Sequence, residues 1–237
     1  DYRQPRSLRV HPWMGPILDG CEILYDPQHF LEFTKASVRG QFNTAEHVIQ
    51  RSRPQAEHAR QIWLELYSQG GEDAGQKADP GVLLKYLRSL DHAANAIADL
   101  SDGPLTERRF LVGFQQRSQA GGKGGVFSGL LGLNGGPNAS GGILKSFVED
   151  WQSAYQALTE GERRERLHPA RCTYYRRGME ALIDSGEPRM ALWPLLRTWT
   201  LAAKHLPADS EPRGQWEQAM SKLGLAGSEF RERIAAM

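Results

Sequence analysis

The stretch DPGVLLKYLRSLDHAANAI, residues 79–97, decides the fold class. Its first two residues, Asp79 and Pro80, place a side-chain acceptor at a helix N-cap and a proline at the first helical position, where the missing N–H costs nothing. Apolar residues then recur at the spacing of one helix face, namely Val82, Leu83, Tyr86, Leu87, Leu90, Ala93, Ala94 and Ile97. The pattern predicts a long amphipathic helix that buries one face in a core.

Further helices are predicted on both sides of this stretch. Asp26-Pro27 repeats the cap-plus-proline start, and an apolar face with Phe30 and Phe33 follows it. A Gly-rich polar linker is predicted at Gln69 to Ala78. Beyond residue 100, helices are predicted over Leu105 to Gln119, Val126 to Leu133, Ile143 to Leu158, Pro169 to Asp184, Pro188 to His205 with a kink at Pro194, Pro212 to Leu223, and Gly227 to Ala236.

A β pattern is present in Leu8 to Tyr25. Asp19-Gly20 lies between apolar residues, which is typical of a hairpin turn because both central positions favour positive φ. The alternative is a single strand entered through a Pro-Gly loop. The sequence therefore predicts a mainly α protein, in which a bundle-like helical domain (27–237) follows a short β-hairpin or strand remnant (1–26).

Composition excludes several classes of protein. Lys plus Arg number 29 and Asp plus Glu number 28, so no net field attracts nucleic acid or an acidic membrane surface. Cys21 and Cys172 lie far apart without metal spacing, which favours a reducing cytoplasm over a disulfide framework. No apolar run has the length of a membrane helix. The chain opens at Asp1 without an initiator Met, and we expect an upstream region.

Familiar catalytic motifs do not match. The glycine-rich run Gly121 to Gly125 resembles a phosphate loop, but Arg117 and Gly124 occupy the places where a Walker loop needs Gly and Ser or Thr. The seven histidines are scattered without metal-ligand spacing. We therefore expect no metal site within this chain.

Two groups of residues are candidates for a site. The segment RCTYYRR, residues 171–177, lies on a predicted helix and could hold an anionic or planar ligand. In the alternative, its tyrosines pack in the core and its arginines pair with carboxylates. Glu22 on the predicted strand and Asp91 on the apolar helix are carboxylates that, if buried, must be paired, neutral or functional. Either could instead face solvent.

Several segments resemble bacterial proteins of the polymerase-beta nucleotidyltransferase superfamily. A strand-rich start that ends in EILYDP (22–27), followed by a helix and an extended helical region, is similar to a nucleotidyltransferase domain passing into its helical C-terminal domain. The segments LRSLDHAANAI (87–97), PLTERRF (104–110) and LWPLLRTWTL (192–201) extend the resemblance over nearly the whole chain. None of them is a catalytic motif.

The resemblance implies particular roles for residues of this chain. In the family, a Gly-Ser is followed by an Asp-x-Asp pair on adjacent strand positions, and the two carboxylates of that pair hold two divalent ions. That motif is absent here, since the only Gly-Ser is Gly227-Ser228 near the C-terminus. By resemblance, Glu22 would match a third carboxylate and Asp91 a general base on the second domain. The substrate contacts implied are Arg108, Arg109, Tyr174, Tyr175 and Arg176.

The expected function follows from this resemblance. The intact parent would transfer a nucleotidyl group from an Mg²⁺-bound nucleoside triphosphate to a hydroxyl of a small molecule or macromolecule. This chain alone would bind on the acceptor side without a cofactor of its own. The alternative is a non-enzymatic interaction module that forms a homodimer through the apolar helix Leu83 to Ile97. A stand-alone enzyme with unrelated chemistry ranks third.

Overall fold

The protein is a bundle of helices. The computed structural model describes residues 4–69, 77–101, 103–162 and 165–237, and these residues contain no β-strand. The α-helices are α1 Pro5–Val10, α2 Met14–Gly20, α3 Phe30–Arg39, α4 Ala45–Gln69, α5 Pro80–Ala98, α6 Phe110–Ala120, α7 Gly124–Leu133, α8 Gly141–Gln156, α9 Pro169–Asp184, α10 Leu192–His205, α11 Glu211–Lys222 and α12 Gly227–Ala236. Short 3-10 turns lie at Glu107–Arg109, Gly136–Asn138, Glu160–Glu162, Glu165–Leu167 and Pro188–Ala191. The predicted mainly α, bundle-like class is confirmed.

The β-hairpin predicted for Leu8 to Tyr25 is wrong for this structure, which has helices α1 and α2 there. The ring Nδ1 of His11 lies 3.1 Å from the backbone nitrogen of Met14 and satisfies a donor at the start of α2. Asp19-Gly20 then ends α2 instead of turning a hairpin. An isolated pair of strands is marginal in water, and no other described strand is present to extend it, so local helix capping prevails.

Helix α5 forms where residues 79–97 predict a long amphipathic helix. Asp79 caps it by accepting a hydrogen bond from the backbone nitrogen of Val82 at 2.8 Å, and Pro80 occupies the first turn. Its apolar face is buried, with Leu83, Tyr86, Leu87 and Leu90 almost inaccessible to solvent. The helix pairs along its length with α4, where the Ser89 hydroxyl donates to the carbonyl of Ala59 at 2.7 Å.

Helices α8, α10 and α11 complete the main core around four buried tryptophans, which are Trp151, Trp193, Trp199 and Trp216. Two indole N–H groups donate to threonines of α10, from Trp151 to Thr198 at 2.9 Å and from Trp216 to Thr200 at 3.2 Å. These two hydrogen bonds compensate the indole N–H groups for the hydration that they lose on burial, whereas the buried Nε1 of Trp199 has no hydrogen-bond partner among the described residues. The pairs therefore fix the register of α8 and α11 against α10.

A smaller core lies under the N-terminal helices. Leu8, Val38 and Phe42 form a separate buried cluster, joined by the half-buried Leu18. The side chain of Arg51 on α4 is buried against it, with its guanidinium carbon 3.8 Å from the centre of the Phe42 ring. Helices α1 to α3 therefore form a small unit that is attached to the bundle through α4.

Two other expectations are corrected. The apolar face of α5 packs inside its own chain, so it is not available as the exposed homodimer face expected for Leu83 to Ile97. Pro194 does not kink a long helix, because α10 begins at Leu192 and the proline lies in its first turn, where no intrahelical donor is required. Most of the predicted Gln69 to Ala78 linker lies outside the described residues.

None of the helices in the described part of the chain combines the length and apolar character needed to cross a membrane.

Candidate functional site

The candidate site forms where the 3-10 turn Glu107–Arg109 meets helix α9. Pro169 begins α9, and His168 precedes it as the N-cap residue. Helical spacing places Arg171, Tyr174, Tyr175 and Gly178 along one side of α9, and this side faces the turn. The two elements are far apart in sequence, so only the tertiary fold brings them together.

A buried hydrogen bond fixes the turn to the helix. Tyr175 is 2% exposed, and its hydroxyl donates to Oε2 of Glu107 at 2.9 Å. The other carboxylate oxygen of Glu107 lies 3.2 Å from Nε of Arg166, a close ion pair without hydrogen-bond geometry. Burial and the neighbouring Glu107 carboxylate raise the pKa of Tyr175, so its hydroxyl keeps its proton and remains a donor.

Arg108 crosses α9 at a glycine. A Cβ atom at Gly178 would lie 2.6 Å from Cδ of Arg108, closer than any carbon contact allows, so the glycine leaves the space that this side chain occupies. The Arg108 guanidinium then lies 4.8 Å from the centre of the Tyr174 ring, in the geometry of a cation–π contact. Tyr174 keeps about half of its surface exposed, 51%, and one aromatic side chain therefore faces solvent beside the arginine.

The turn and the helix enclose a surface depression of about 510 Å³. Its lining consists of Thr106, Glu107, Arg108, Arg109, Arg171, Tyr174 and Tyr175. We call it the arginine depression. Four of the five predicted substrate contacts therefore come together in one place: Arg108, Arg109, Tyr174 and Tyr175. The fifth, Arg176, points elsewhere and pairs with Glu180 at 2.8 Å in the groove between α8 and α9.

The charge of the arginine depression is positive. Arg108, Arg109 and Arg171 form no ion pair with a carboxylate among the residues that the structure describes, and neither does Arg177 on the adjoining surface of α9. The one carboxylate in the lining, Glu107, is engaged by Tyr175 and Arg166. An anion that enters the depression therefore meets several guanidinium groups whose charge is not neutralised by any carboxylate that the structure describes.

Asp91 lies behind the site, on α5. Its Oδ1 accepts a hydrogen bond from the side-chain amide of Asn95 at 2.8 Å, and its Oδ2 lies 3.7 Å from Nη2 of Arg197. Burial raises the pKa of Asp91, while Arg197 and Arg166 oppose that shift; burial likewise lowers the pKa of Arg197. Asp91 does not line the arginine depression.

Asp91 orients the side-chain amide of Asn95. Because the Asn95 amide nitrogen faces Asp91, its buried oxygen faces the other way and accepts from the backbone nitrogen of Leu105 at 2.8 Å. This bond holds the chain two residues before Glu107. The role of Asp91 as a general base stays a prediction, while its role in holding the approach to the turn is visible in the geometry.

Glu22 lies outside this site. It is exposed in the irregular segment between α2 and α3, and not on a strand. The backbone carbonyl of its neighbour Cys21 accepts a hydrogen bond from Nζ of Lys35. No described contact joins Glu22 to Asp91 or to the arginine depression. Within the described ranges, no cluster of three or more His, Cys, Asp or Glu side chains is arranged to hold a metal ion.

Three residues that shape the site, Glu107, Arg166 and Gly178, were not among the candidates from the sequence, whereas Arg171 belonged to the candidate segment 171–177. Helical spacing contained part of the signal, since Arg171, Tyr174 and Gly178 recur at intervals of three and four. The spacing of Arg176 and Glu180, four residues apart, likewise predicts their ion pair. Nothing in the sequence indicated that Glu107 would accept from Tyr175, because that contact spans 68 residues.

Comparison of the chain with protein-family models, with curated proteins and with solved structures found no match. The candidate site therefore rests on its own geometry and charge.

Proposed function

We propose that the protein binds a phosphate-bearing ligand in the arginine depression. The observation that carries this proposal is a group of three guanidinium groups that have no carboxylate counterion among the described residues, those of Arg108, Arg109 and Arg171, placed beside the half-exposed ring of Tyr174. Guanidinium groups match phosphate oxygens in charge and in the geometry of their N–H donors. A half-exposed aromatic ring adds a flat surface on which a base or another planar group can stack.

A narrower version of the proposal comes from the resemblance of the sequence to nucleotidyltransferases. In that version the chain is the acceptor-side helical domain of a parent enzyme that uses a nucleoside triphosphate with Mg²⁺, and the hydroxyl acceptor carries the phosphate. The positive, partly aromatic character of the arginine depression supports an anionic acceptor. The proposal gives this chain a binding role.

The test uses charge reversal at two exposed arginines. Arg109 and Arg177 are both exposed and line the same surface beside the turn, so Arg109→Glu with Arg177→Glu should leave the fold intact. The probes are pyrophosphate, and ATP with and without Mg²⁺, titrated by calorimetry. We expect at least a tenfold loss of affinity in the variant, and binding by the native protein that weakens as salt is added, because these charges are screened.

The matched control reverses two arginines elsewhere. Arg60 on α4 and Arg231 on α12 are exposed and line none of the depressions described above. Arg60→Glu with Arg231→Glu changes the net charge by the same amount, so it should bind the probes almost as the native protein does. Equal losses in the two double variants would show a nonspecific charge effect and would contradict the proposed site. So would a native protein that binds none of the probes.

A second candidate function is self-association through the N-terminal unit. Five apolar side chains are more than half exposed there: Leu24 at 90%, Tyr25 at 82%, Phe33 at 70%, Phe30 at 58% and Ile17 at 56%. Soluble chains rarely expose so many large apolar side chains within so short a segment without a partner. In a symmetric dimer, these uncharged side chains of one copy would pack against the same side chains of the other copy.

The mass of the protein in solution tests this second candidate. Light scattering after gel filtration should give a dimer for the native chain, and a monomer for Phe30→Ser with Phe33→Ser. A native protein that is monomeric at all concentrations measured would contradict it.

A further inference from the structure

Two further depressions adjoin the arginine depression in a row. A second depression, of about 580 Å³, adjoins it and shares Arg108 and Arg109 as lining residues. A third, of about 480 Å³, shares Gln115, Glu187 and Met190 with the second. The first lies between the turn Glu107–Arg109 and α9, the second between α6 and α9, and the third between α7 and the turn Pro188–Ala191. We call the second and third together the far groove.

The chemical character of the lining changes along this path. At the start are Arg108, Arg109 and Arg171, whereas the far groove is lined by Val112, Leu182, Met190, Phe127, Leu131 and Ala139 among its apolar side chains. Its remaining charged groups are Arg177 near the arginine depression, then Glu187 and Arg189, which have opposite charges. The positive charge is thus concentrated at one end.

Small residues keep the far groove open. Ala181 lies in the second depression on α9, and Gly141 and Gly186 lie in the third. A Cβ atom at Gly186 would meet nothing within 4 Å, so space remains above the backbone there. Each depression shares lining residues with the next, and such a row suits an extended, unbranched chain.

We propose that the ligand of this site is an anionic amphiphile, with a phosphate head in the arginine depression and a single hydrocarbon chain along the far groove. This inference rests on the proposed function and specifies its ligand class. The head is recognised by guanidinium groups, and the chain is recognised because its transfer from water to an apolar lining is favourable. Each fully buried methylene group strengthens binding roughly fourfold, so partial burial of a few methylenes already gives a measurable gain.

The experiment compares two probes with the same head group. Methyl phosphate and n-octyl phosphate, both below the concentration at which micelles form, are titrated into the native chain by calorimetry. We expect octyl phosphate to bind at least tenfold more tightly than methyl phosphate. Ala181→Trp should abolish this gain, because Ala181 is exposed in the second depression and the indole would fill it. Ala235→Trp, at an exposed position of α12, is the matched control and should keep the gain.

The outcomes separate this inference from the proposed function. If both probes bind equally, the octyl chain makes no contact with the protein. The amphiphile inference is then overturned, while phosphate binding stands. If octyl phosphate binds more tightly than methyl phosphate to the native protein and also to Ala181→Trp, the octyl chain lies outside the second depression. The inference is then again overturned. If neither probe binds, the proposed phosphate site itself fails. Loss of the gain in Ala181→Trp alone, with methyl phosphate binding unchanged, supports both.

Discussion

At the scale of single residues, Gly178 shapes the site because it has no side chain. The absence of a Cβ atom there lets Arg108 lie across α9 and reach Tyr174. Glycine in a helix interior normally costs stability, about 1 kcal/mol relative to alanine. Its presence in α9 is therefore explained by the passage of an arginine side chain, and not by any requirement of the backbone, since its φ is not positive.

Gly178→Ala should separate stability from binding. The added methyl would displace the Arg108 side chain, so we expect affinity for pyrophosphate to fall several-fold. Improved helix propensity offsets the steric conflict, so the free energy of unfolding in urea should change by less than about 1 kcal/mol. Gly214→Ala on α11 is the control, because nothing lies within 4 Å of its added carbon. The free energy of unfolding of Gly214→Ala should rise by up to about 1 kcal/mol, and its affinity for pyrophosphate should equal that of the native protein. Unchanged affinity for pyrophosphate in Gly178→Ala would refute the role given to Arg108.

The adjacent tyrosines provide a second residue-scale prediction. Tyr175 donates its buried hydroxyl to a carboxylate, whereas Tyr174 is half exposed and stands against Arg108. Tyr175→Phe removes a hydrogen bond to a charged acceptor and should lower the free energy of unfolding by about 1–3 kcal/mol. Tyr174→Phe keeps the ring and should cost almost nothing. Chemical denaturation measures both, and equal costs would show that the Tyr175–Glu107 bond contributes no net stability.

At the scale of elements, one buried arginine attaches the N-terminal helices to the bundle. Arg51 of α4 is 1% exposed, and its Nη1 donates to the carbonyl oxygens of Arg9 at 2.8 Å and Phe42 at 2.9 Å. It also lies over the Phe42 ring, which belongs to the small second core. Burial lowers the pKa of Arg51, with Asp99 opposing the shift, but the group remains charged at neutral pH.

Arg51→Met should therefore loosen one part of the molecule selectively. The carbonyl oxygens of Arg9 and Phe42 would lose a charged donor, so α1 to α3 should open more often than the rest. Hydrogen exchange should show lost protection in α1 to α3, with protection retained in α5, α8 and α10. Arg53→Met is the control on the same helix, because Arg53 is exposed. Uniform loss of protection across the chain would mean that the N-terminal unit is not separately attached.

Among the secondary-structure elements, the sequence predicts α5 correctly and the segment around Asp19-Gly20 incorrectly. Helix α5 could be predicted because its cap, its proline and its apolar spacing all act locally. The Asp19-Gly20 turn was misinterpreted because a turn motif has the same local chemistry at the end of a helix as between strands. Which of the two forms depends on whether partner strands exist, and this is a non-local property.

At the scale of the whole molecule, stability should respond to pH through the polar cluster behind the site. Burial raises the folded-state pKa of Asp91 above its ordinary value of 3.8. The folded protein therefore holds that proton more strongly than the unfolded chain does. The stabilising contribution of protonated Asp91 is fully present below pH 3.8, and it is lost as the pH rises through the folded-state pKa of Asp91.

A pH series of urea denaturation checks this sign. The free energy of unfolding of the native chain minus that of Asp91→Asn should decrease as the pH rises above 3.8, and should level off once Asp91 is ionised in the folded state. A difference that increases over this range would mean that Arg197, 3.7 Å away, outweighs burial and holds the pKa of Asp91 low. Asp184→Asn serves as the control, since that carboxylate is 64% exposed in its ion pair with Lys145.

The sequence alone determined the helical class and the near-neutral charge, because these follow from local spacing, local capping and composition. It also indicated four of the side chains that meet in the arginine depression, although not that they meet. Only the tertiary structure decided that Glu107 receives the Tyr175 hydroxyl and that Arg108 passes over Gly178. It also decided that the apolar face of α5 is covered within its own chain. The physical reason is common to all three: each depends on which elements pack together, and packing depends on contacts between residues far apart in the chain.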